Sequence, residues 1–328
     1  MRVLVTGGAG FIGAHLVQAL RARGDEVLVL DDLSTGRAAN LAGQEAGCEL
    51  VRGSVLDAAL VARLVARVEG VFHLAARVGV RLVLEQPSAT LETNVVGTRN
   101  VLAAAARQGA RVLFASSSEV YGRNEAPPFA EDAPLLPGAT REPRWSYALS
   151  KAMGEALAFA HAREHGLPVI VVRFFNVVGP RQRGDFGMVL PRFVRAAVAG
   201  VPLEVYGDGA QTRSFLHVGD AVERLLALWD EPRARGQVVN VGGAEELSIL
   251  ELARRVRAAA GSSAELVRMP YREAYGTEMR DFRRRVPDLA RLAGLIGPRP
   301  ARSLEAIVAE LVALERAGAE SLAPGRSA

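Results

Sequence analysis

Short runs of apolar residues alternate with segments of helical spacing along the first half of the chain. Six apolar runs predict β-strands, at residues 3–6, 27–30, 49–52, 71–75, 111–115 and 168–173. Between them, apolar positions recur every three or four residues in segments 12–23, 57–68 and 88–107, which predicts helices. Strands and helices that alternate in this way form a parallel sheet with helices on both faces. The sequence therefore predicts a doubly wound, Rossmann-like α/β fold.

The pattern changes after about residue 176, where longer helical segments are separated by loops rich in glycine and proline. Helices are predicted at residues 189–199, 219–229, 249–260 and 303–316. We expect a Rossmann domain over residues 1–175, a smaller substrate-binding lobe over 176–316 and a flexible tail over 317–328. In sheets of this kind ligands bind at the carboxyl ends of the strands, so the cleft between the lobes is the expected site.

Composition narrows the class of protein. The 328 residues are 49% hydrophobic, and a net charge of only +4 with scattered basic residues argues against a nucleic-acid partner. Cys48 is the single cysteine, which excludes an internal disulfide and a cysteine-based zinc site, and we expect no metal. Neither a charged leader nor an apolar run of membrane-spanning length is evident, so we expect a cytoplasmic protein without a membrane partner.

The forty basic residues comprise thirty-nine arginines and one lysine, Lys151. Arginine is used wherever a positive charge alone suffices, so the remaining lysine should do something that a guanidinium cannot. An ammonium is a compact point charge with a tunable pKa, whereas a guanidinium is broad and always protonated. This contrast marks Lys151 as a candidate functional residue.

A glycine-rich turn follows the first predicted strand and opens the first predicted helix. In TGGAGFIG, Gly7, Gly10 and Gly13 allow a tight turn, close approach of the backbone to a pyrophosphate, and close packing of helix on strand. Asp31 and Asp32 end the second strand about twenty residues later, where a carboxylate accepts hydrogen bonds from a ribose and repels a 2′-phosphate. The pattern predicts a dinucleotide site that prefers NAD to NADP, although the nearby Arg37 could pair with a phosphate.

Two further segments carry candidate chemistry. In YALSK, Tyr147 and Lys151 stand four residues apart on one helical face, where the ammonium can stabilise a phenolate and make it a usable base. In SSSEVYG, which closes the fifth strand, a hydroxyl can bind a sugar oxygen and relay its proton to Tyr147.

Together these motifs resemble the extended short-chain dehydrogenase/reductase family, specifically its nucleotide-sugar 4-epimerases and related decarboxylases and dehydratases. The resemblance covers nearly the whole chain, and its further motifs are LDDLSTG, HLAA, NVVGT, RFFNVVGP and YGDGAQTRSFLHVGD. It implies the catalytic triad Ser117, Tyr147 and Lys151. It also implies NAD contacts at Gly7, Gly10, Phe11, Ile12, Gly13, Asp31, Asp32, Ser34, Ser54, Val55, Leu74, Ala75, Ala76, Asn94, Tyr147 and Lys151. Ser54 departs from the Asp that many relatives have beside the adenine amine.

The resemblance also implies a UDP-sugar site and a homodimer formed by the helices in segments 88–107 and 146–165. Substrate contacts are expected at Ser117, Ser118, Glu119, Tyr147, Asn176, Arg183, Val189, Leu190, Arg192 and Arg213. Among these, Arg183 is similar in position to a carboxylate-binding arginine of UDP-glucuronate 4-epimerases, and Glu119 is a possible acid.

Three reactions share the oxidation of C4 and differ in the fate of the ketone. Dehydratases usually carry Asp-Glu after the catalytic hydroxyl residue, and Ser118-Glu119 at that place counts against dehydration. The SSSEVYG segment also resembles UDP-glucuronate decarboxylases. We therefore expect C4 epimerisation of UDP-glucuronate to UDP-galacturonate, with UDP-glucose as a further substrate, and keep decarboxylation to UDP-xylose as the alternative. A non-catalytic dinucleotide-binding regulator is the non-enzyme alternative.

Overall fold

The computed structural model describes residues 1–182, 184, 188–276 and 282–322, and within them the predicted α/β architecture is present. The strands are β1 (Arg2–Thr6), β2 (Glu26–Asp31), β3 (Cys48–Arg52), β4 (Gly70–His73), β5 (Arg111–Ser117), β6 (Val169–Phe174), β7 (Asn176–Val178), β8 (Leu203–Tyr206), β9 (Thr212–His217), β10 (Val238–Val241), β11 (Glu246–Ser248), β12 (Leu266–Met269) and β13 (Arg284–Arg285). The helices are α1 (Phe11–Ala22), α2 (Ala58–Val65), α3 (Val80–Glu85), α4 (Pro87–Leu91), α5 (Gly97–Gln108), α6 (Ser146–His165), α7 (Val189–Ala199), α8 (Val218–Asp230), α9 (Ile249–Ala259), α10 (Tyr271–Tyr275), α11 (Ala290–Ile296) and α12 (Leu304–Leu322).

Seven parallel strands form the main sheet, in the order β10-β6-β5-β4-β1-β2-β3. Alternate side chains of each strand enter two hydrophobic cores, one on each face. Val3 and Val5 pack on the face covered by α1 and α8, whereas Leu4 packs on the face covered by α2 and α5. Burial on both faces explains why these strands are continuous apolar runs.

The smaller lobe is built around β9. This strand pairs antiparallel with β11 and in parallel with β13 and β7, while β8 and β12 form a separate parallel pair. A third apolar core joins α7, α9 and α12 to these strands. The seventh strand of the main sheet, β10, also comes from the second half of the chain, so the two lobes share chain segments. Helix α12 continues past Arg316 to Leu322.

The segment 88–107, which the periodicity treats as one helix, is divided in the structure. Helix α4 ends at Leu91, a π-helical turn spans Glu92–Val96, and α5 begins at Gly97. The wide turn contains Asn94, a buried residue whose amide binds groups on two other segments. Such π-turns occur often at functional sites, and the apolar spacing alone does not reveal them. Among the described helices, none is long and apolar enough to cross a membrane.

Candidate active site

The glycine turn between β1 and α1 has the geometry that a dinucleotide site requires. Gly7 has a φ of 72°, and a Cβ there would lie 2.8 Å from the backbone nitrogen of Ala75. A Cβ on Gly13 would lie 2.1 Å from the carbonyl oxygen of Gly7. Larger residues would therefore fill the space in which the turn meets α1. Open backbone at a helix N-terminus fits a pyrophosphate.

The two aspartates at the end of β2 differ in their surroundings. Asp31 is buried, and its carboxylate accepts hydrogen bonds of 2.9 Å from the backbone nitrogens of Ala9 and Leu33. Burial raises the pKa of Asp31, whereas these two hydrogen bonds lower it. Asp32 is exposed and accepts hydrogen bonds from the backbone nitrogen and hydroxyl of Ser34. Asp31 is thus the carboxylate that lies against the glycine turn.

The remaining residues expected at the cofactor lie in three places. Phe11, Ile12, Leu74 and Ala76 line one large cavity together with Tyr147 and Lys151. Asn94 accepts a hydrogen bond of 2.8 Å from the backbone nitrogen of Arg77 and donates one of 3.1 Å to the Ser150 hydroxyl. It therefore connects the loop after β4 to α6. Ser54 caps a turn through a bond from the Leu56 nitrogen, and Val55 packs against Gly97.

Tyr147 and Lys151 lie on α6 and face the end of β5. Lys151 is only 3% exposed. Its ammonium donates a hydrogen bond of 2.8 Å to the Ala115 carbonyl oxygen and lies 5.9 Å from the centre of the Tyr147 ring. Ser117, the last residue of β5, is a hydrogen-bond partner that lowers the pKa of Tyr147. The structure thus brings the three predicted catalytic residues together.

Burial shifts both members of the tyrosine–lysine pair toward their neutral forms. It lowers the pKa of Lys151 to about 7, against the opposing effect of the Glu155 carboxylate, and it raises the pKa of Tyr147 well above its usual range. A charged ligand that enters the cavity can therefore change the protonation state of Tyr147 or of Lys151. Perturbed pKa values of this kind are typical of acid–base sites.

Glu119 lies in the same cavity and is clamped between two arginines. Its side chain is 13% exposed, Arg144 Nη1 lies 2.7 Å from Oε2, and Arg285 Nη1 binds Oε1. Burial raises the pKa of Glu119, but the two guanidinium groups outweigh burial and hold the pKa at about 2. Glu119 is therefore ionised at neutral pH. Arg285 also donates a hydrogen bond of 2.7 Å to the Asn176 amide oxygen.

The expected substrate residues line the other half of this cavity. Ser118, Asn176, Val189, Leu190, Arg192 and Arg213 all contribute to its wall. The guanidinium carbon of Arg192 lies 3.9 Å from the centre of the Tyr206 ring, so a cation–π contact forms part of this wall. Arg183 lies outside the described residues.

Sequence reasoning did not identify Arg144, Arg285, Tyr206 or Gln211 as lining residues of this cavity. Arg285 is 166 positions from Glu119 along the chain, and in a sequence with thirty-nine arginines it carries no local signal. Tyr206 and Gln211 fall within a quoted motif, YGDGAQTRSF, which could have marked them. Within the part of the chain that the structure describes, no cluster of His, Cys, Asp and Glu side chains could hold a metal ion.

A Rossmann-like sheet with this glycine turn and a buried Tyr–Lys pair defines a nicotinamide-dependent enzyme of the short-chain dehydrogenase/reductase type. Residues 3–242 match the model of the NAD dependent epimerase/dehydratase family. The chain belongs to that family, and its cofactor is NAD.

Solved structures and curated proteins both resemble this chain over most of its length. The UDP-glucose 4-epimerase of Thermotoga maritima has a TM-score of 0.85 at 29% identity, covering 97% of this chain and 100% of that one. DesIV, a dTDP-glucose 4,6-dehydratase of Streptomyces venezuelae solved with NAD and TYD, has a TM-score of 0.87 at 33% identity and covers 99% of each chain. A UDP-N-acetyl-alpha-D-glucosaminuronate decarboxylase of Bacillus cytotoxicus is 42% identical over 89% of this chain and 90% of its own. UDP-glucuronic acid decarboxylase 1 of Xenopus tropicalis is 37% identical over 93% of this chain and 69% of its own.

These relatives correct the expected reaction. The sequence favoured C4 epimerisation of UDP-glucuronate, but the curated proteins that match over most of the chain are decarboxylases, so that interpretation is wrong. The physical reason is that the motifs of the sequence lie at the glycine turn and at the Tyr147–Lys151 pair. The resemblance assigned those parts to the oxidation of C4, a step expected of epimerases, dehydratases and decarboxylases alike, so they do not distinguish between the three reactions.

Proposed function

We propose that the protein is an NAD-dependent decarboxylase that acts on a UDP-linked hexuronic acid. The observation that carries the proposal is the juxtaposition of Tyr147 and Arg285 in one cavity, with Arg285 anchored by the ionised Glu119. A hexuronate has a hydroxyl on C4, and C6 is the carbon of its carboxylate. C4 and C6 are two bonds apart, because both are bonded to C5. The cavity offers a base for the first group and a guanidinium for the second.

Tyr147 and Lys151 perform the proton chemistry at C4. Tyr147 removes the proton from the C4 hydroxyl, and the Ser117 hydroxyl holds the sugar oxygen in line. The Lys151 ammonium stabilises the developing phenolate, since an adjacent cation lowers the pKa of a phenol. NAD, held at the glycine turn between β1 and α1, would supply the hydride acceptor for the oxidation of C4 and, once reduced, the hydride donor for the final reduction.

Loss of carbon dioxide follows from the oxidised sugar itself. The C4 ketone and the C6 carboxylate form a β-keto acid, so the C5–C6 bond can break with its electron pair moving into the C4–C5 bond and onto O4. Protonated Tyr147 can donate a hydrogen bond to that oxygen while its charge develops. A proton then adds to C5, and the ketone is reduced to the pentose product.

Glu119 serves in this scheme as an anchor for Arg285 and not as the acid considered from the sequence. Its pKa of about 2 leaves no proton to donate at neutral pH. The carboxylate instead holds the guanidinium that faces the substrate carboxylate, and Asn176 holds the same group from the other side. Each of the two Nη atoms of Arg285 carries a second N–H group, and these groups can donate to a carboxylate partner.

The test is incubation of the purified protein and NAD with UDP-glucuronate, UDP-N-acetylglucosaminuronate and UDP-glucose in separate reactions. We expect release of carbon dioxide and an NMR spectrum of a UDP-pentose or its 2-acetamido counterpart from one of the two uronates. Tyr147→Phe serves as the matched inactive control. A product that retains the carboxylate, or turnover of UDP-glucose alone, would contradict the proposal.

We also infer a homodimer and a cytoplasmic location. Leu91 on α4 and Met153 on α6 are large, exposed apolar side chains, and these two helices pack together. An exposed apolar face of this kind is typical of a subunit interface. Light scattering of the wild type and of Met153→Glu tests the dimer, and cell fractionation tests the location.

A further inference from the structure

A second cavity, of about 330 Å³, lies behind the active site in the smaller lobe. Its apolar wall is formed by Phe215, Leu247, Leu289 and Leu304. Phe215 on β9 also lines the active-site cavity, so the two cavities share this side chain as a wall. Pockets of this volume accommodate small organic ligands.

Arg224 on α8 lines this cavity and is only 4% exposed. Its Nη1 donates a hydrogen bond of 2.7 Å to the Gly242 carbonyl oxygen and its Nη2 one of 3.4 Å to the Arg299 carbonyl oxygen, while Nε is buried without a partner. Within the described residues no carboxylate forms an ion pair with this guanidinium. Burial lowers the pKa of Arg224, and the charges of Asp220 and Glu223 oppose this shift only from a distance. A buried guanidinium without a directly paired carboxylate is unfavourable in a folded protein.

The acidic residues beside Arg224 and in the cavity lining form ion pairs with other arginines. These pairs are Asp220 with Arg302 at 2.5 Å, Glu223 with Arg299 at 2.9 Å, and Glu245 with Arg255 at 2.7 Å. Arg299 and Arg302 also line the cavity, and Glu245 is its one acidic lining residue among those described. The lining therefore carries three guanidinium groups and one carboxylate.

The start of α12 lies at the same cavity. Ser303 caps the helix by accepting a hydrogen bond of 3.2 Å from the Ala306 nitrogen, and both Ser303 and Leu304 line the cavity. The N-terminus of a long helix favours a bound anion. The buried guanidinium of Arg224, the ion-paired guanidinium groups of Arg299 and Arg302, and the helix terminus thus line one cavity that opens to solvent.

We propose that this cavity is a binding site for a small organic phosphate, with Arg224 as its central charge partner. A phosphate dianion matches several guanidinium groups better than a single carboxylate does. The ester group of such a ligand packs against Phe215 and Leu247. The site is separate from the NAD and sugar-nucleotide cavity and does not depend on the proposed reaction.

Calorimetric titration of phenyl phosphate into protein saturated with NAD and UDP tests the proposal, because those ligands occupy the other phosphate-binding positions. We expect one saturable site per chain, with inorganic phosphate binding more weakly than phenyl phosphate because it lacks an apolar group. Arg224→Met should weaken phenyl phosphate by at least about tenfold, and Arg299→Ala by a smaller factor. Arg67→Ala, at a surface ion pair with Glu49, is the matched control and should bind as the wild type does.

Two results would overturn the proposal. One is the absence of saturable binding to the wild type at about 10 mM phenyl phosphate, a concentration far above that expected for a built site. The other is equal affinity in the wild type and Arg224→Met. If Arg224→Met does not fold, Arg299→Ala replaces it, because Arg299 is exposed at the rim of the cavity and its loss should leave the fold intact. An affinity for phenyl phosphate equal to that of the wild type would then overturn the proposal.

Discussion

The ion pairs of Glu119 with Arg144 and Arg285 allow a quantitative prediction about the free energy of unfolding. Glu119→Gln keeps the size of the side chain but removes its charge, so Arg144 and Arg285 are left facing each other without a counter-charge. Holding the pKa of Glu119 at about 2 instead of 4.5 corresponds to about 3 kcal/mol in favour of the ionised carboxyl in the folded state. We therefore expect Glu119→Gln to lower the free energy of unfolding at pH 7 by about 3 kcal/mol.

The direction of the pKa shift of Glu119 determines the pH range over which the wild type is more stable than Glu119→Gln. The pKa of Glu119 is lowered on folding, so its contribution to stability is complete above about pH 4.5 and is lost as the pH falls toward 2. Urea unfolding of wild type and variant should therefore differ by about 3 kcal/mol at pH 7, and by progressively less between pH 4.5 and pH 3. Carboxylates common to both proteins cancel in the comparison.

The same variant should separate two steps of catalysis. Without its anchor Arg285 loses a charge-assisted contact, and a loss of about 1.5–3 kcal/mol corresponds to a fall in decarboxylation rate of about 10- to 100-fold. Formation of reduced cofactor, followed by absorbance, should fall less. Glu85→Gln breaks an exposed ion pair with Arg81 and is the control, with an expected loss below about 1 kcal/mol. Equal stability of Glu119→Gln and wild type across this pH range would refute the reasoning.

Three further predictions concern the cofactor turn and the catalytic pair. Gly13→Ala should purify without NAD, because its Cβ would lie 2.1 Å from the Gly7 oxygen, and added NAD should not raise its melting temperature. Gly294→Ala is the control and should behave as the wild type, because the space around Gly294 is open. Tyr147→Phe should reduce turnover by about 10²- to 10⁴-fold and leave NAD affinity unchanged, and residual activity near the wild-type rate would exclude the phenol as the acid–base group. Lys151→Met should stabilise the protein without NAD by about 3 kcal/mol at pH 7, because burial lowers the lysine pKa to about 7 and only one hydrogen bond is lost. That gain should disappear in urea unfolding as the pH rises from 7 toward 10, and a gain that persisted at pH 10 would have another origin.

The features that the sequence determined are those encoded locally. The spacing of apolar residues predicted the strands and helices of the Rossmann-like sheet, because a strand buried on both faces and an amphipathic helix differ within a few residues. The turn at Gly7, Gly10 and Gly13 and the pair Tyr147 and Lys151 are also local, since a strand–turn–helix and an i, i+4 spacing place these groups without long-range contacts. The lone lysine strengthened that second prediction.

Tertiary structure alone decided what surrounds that pair. Arg285 reaches Glu119 from 166 positions away because β13 pairs with β9 in the smaller lobe, and no periodic pattern records that contact. The ionised state of Glu119 likewise depends on two guanidinium groups brought from separate segments, so its chemistry could not be assigned from SSSEVYG. The burial of Arg224 without an ion-paired carboxylate among the described residues is a property of packing in the same way. The motifs contain the residues expected to oxidise C4, whereas the groups proposed to act on the resulting ketone come together only through long-range contacts.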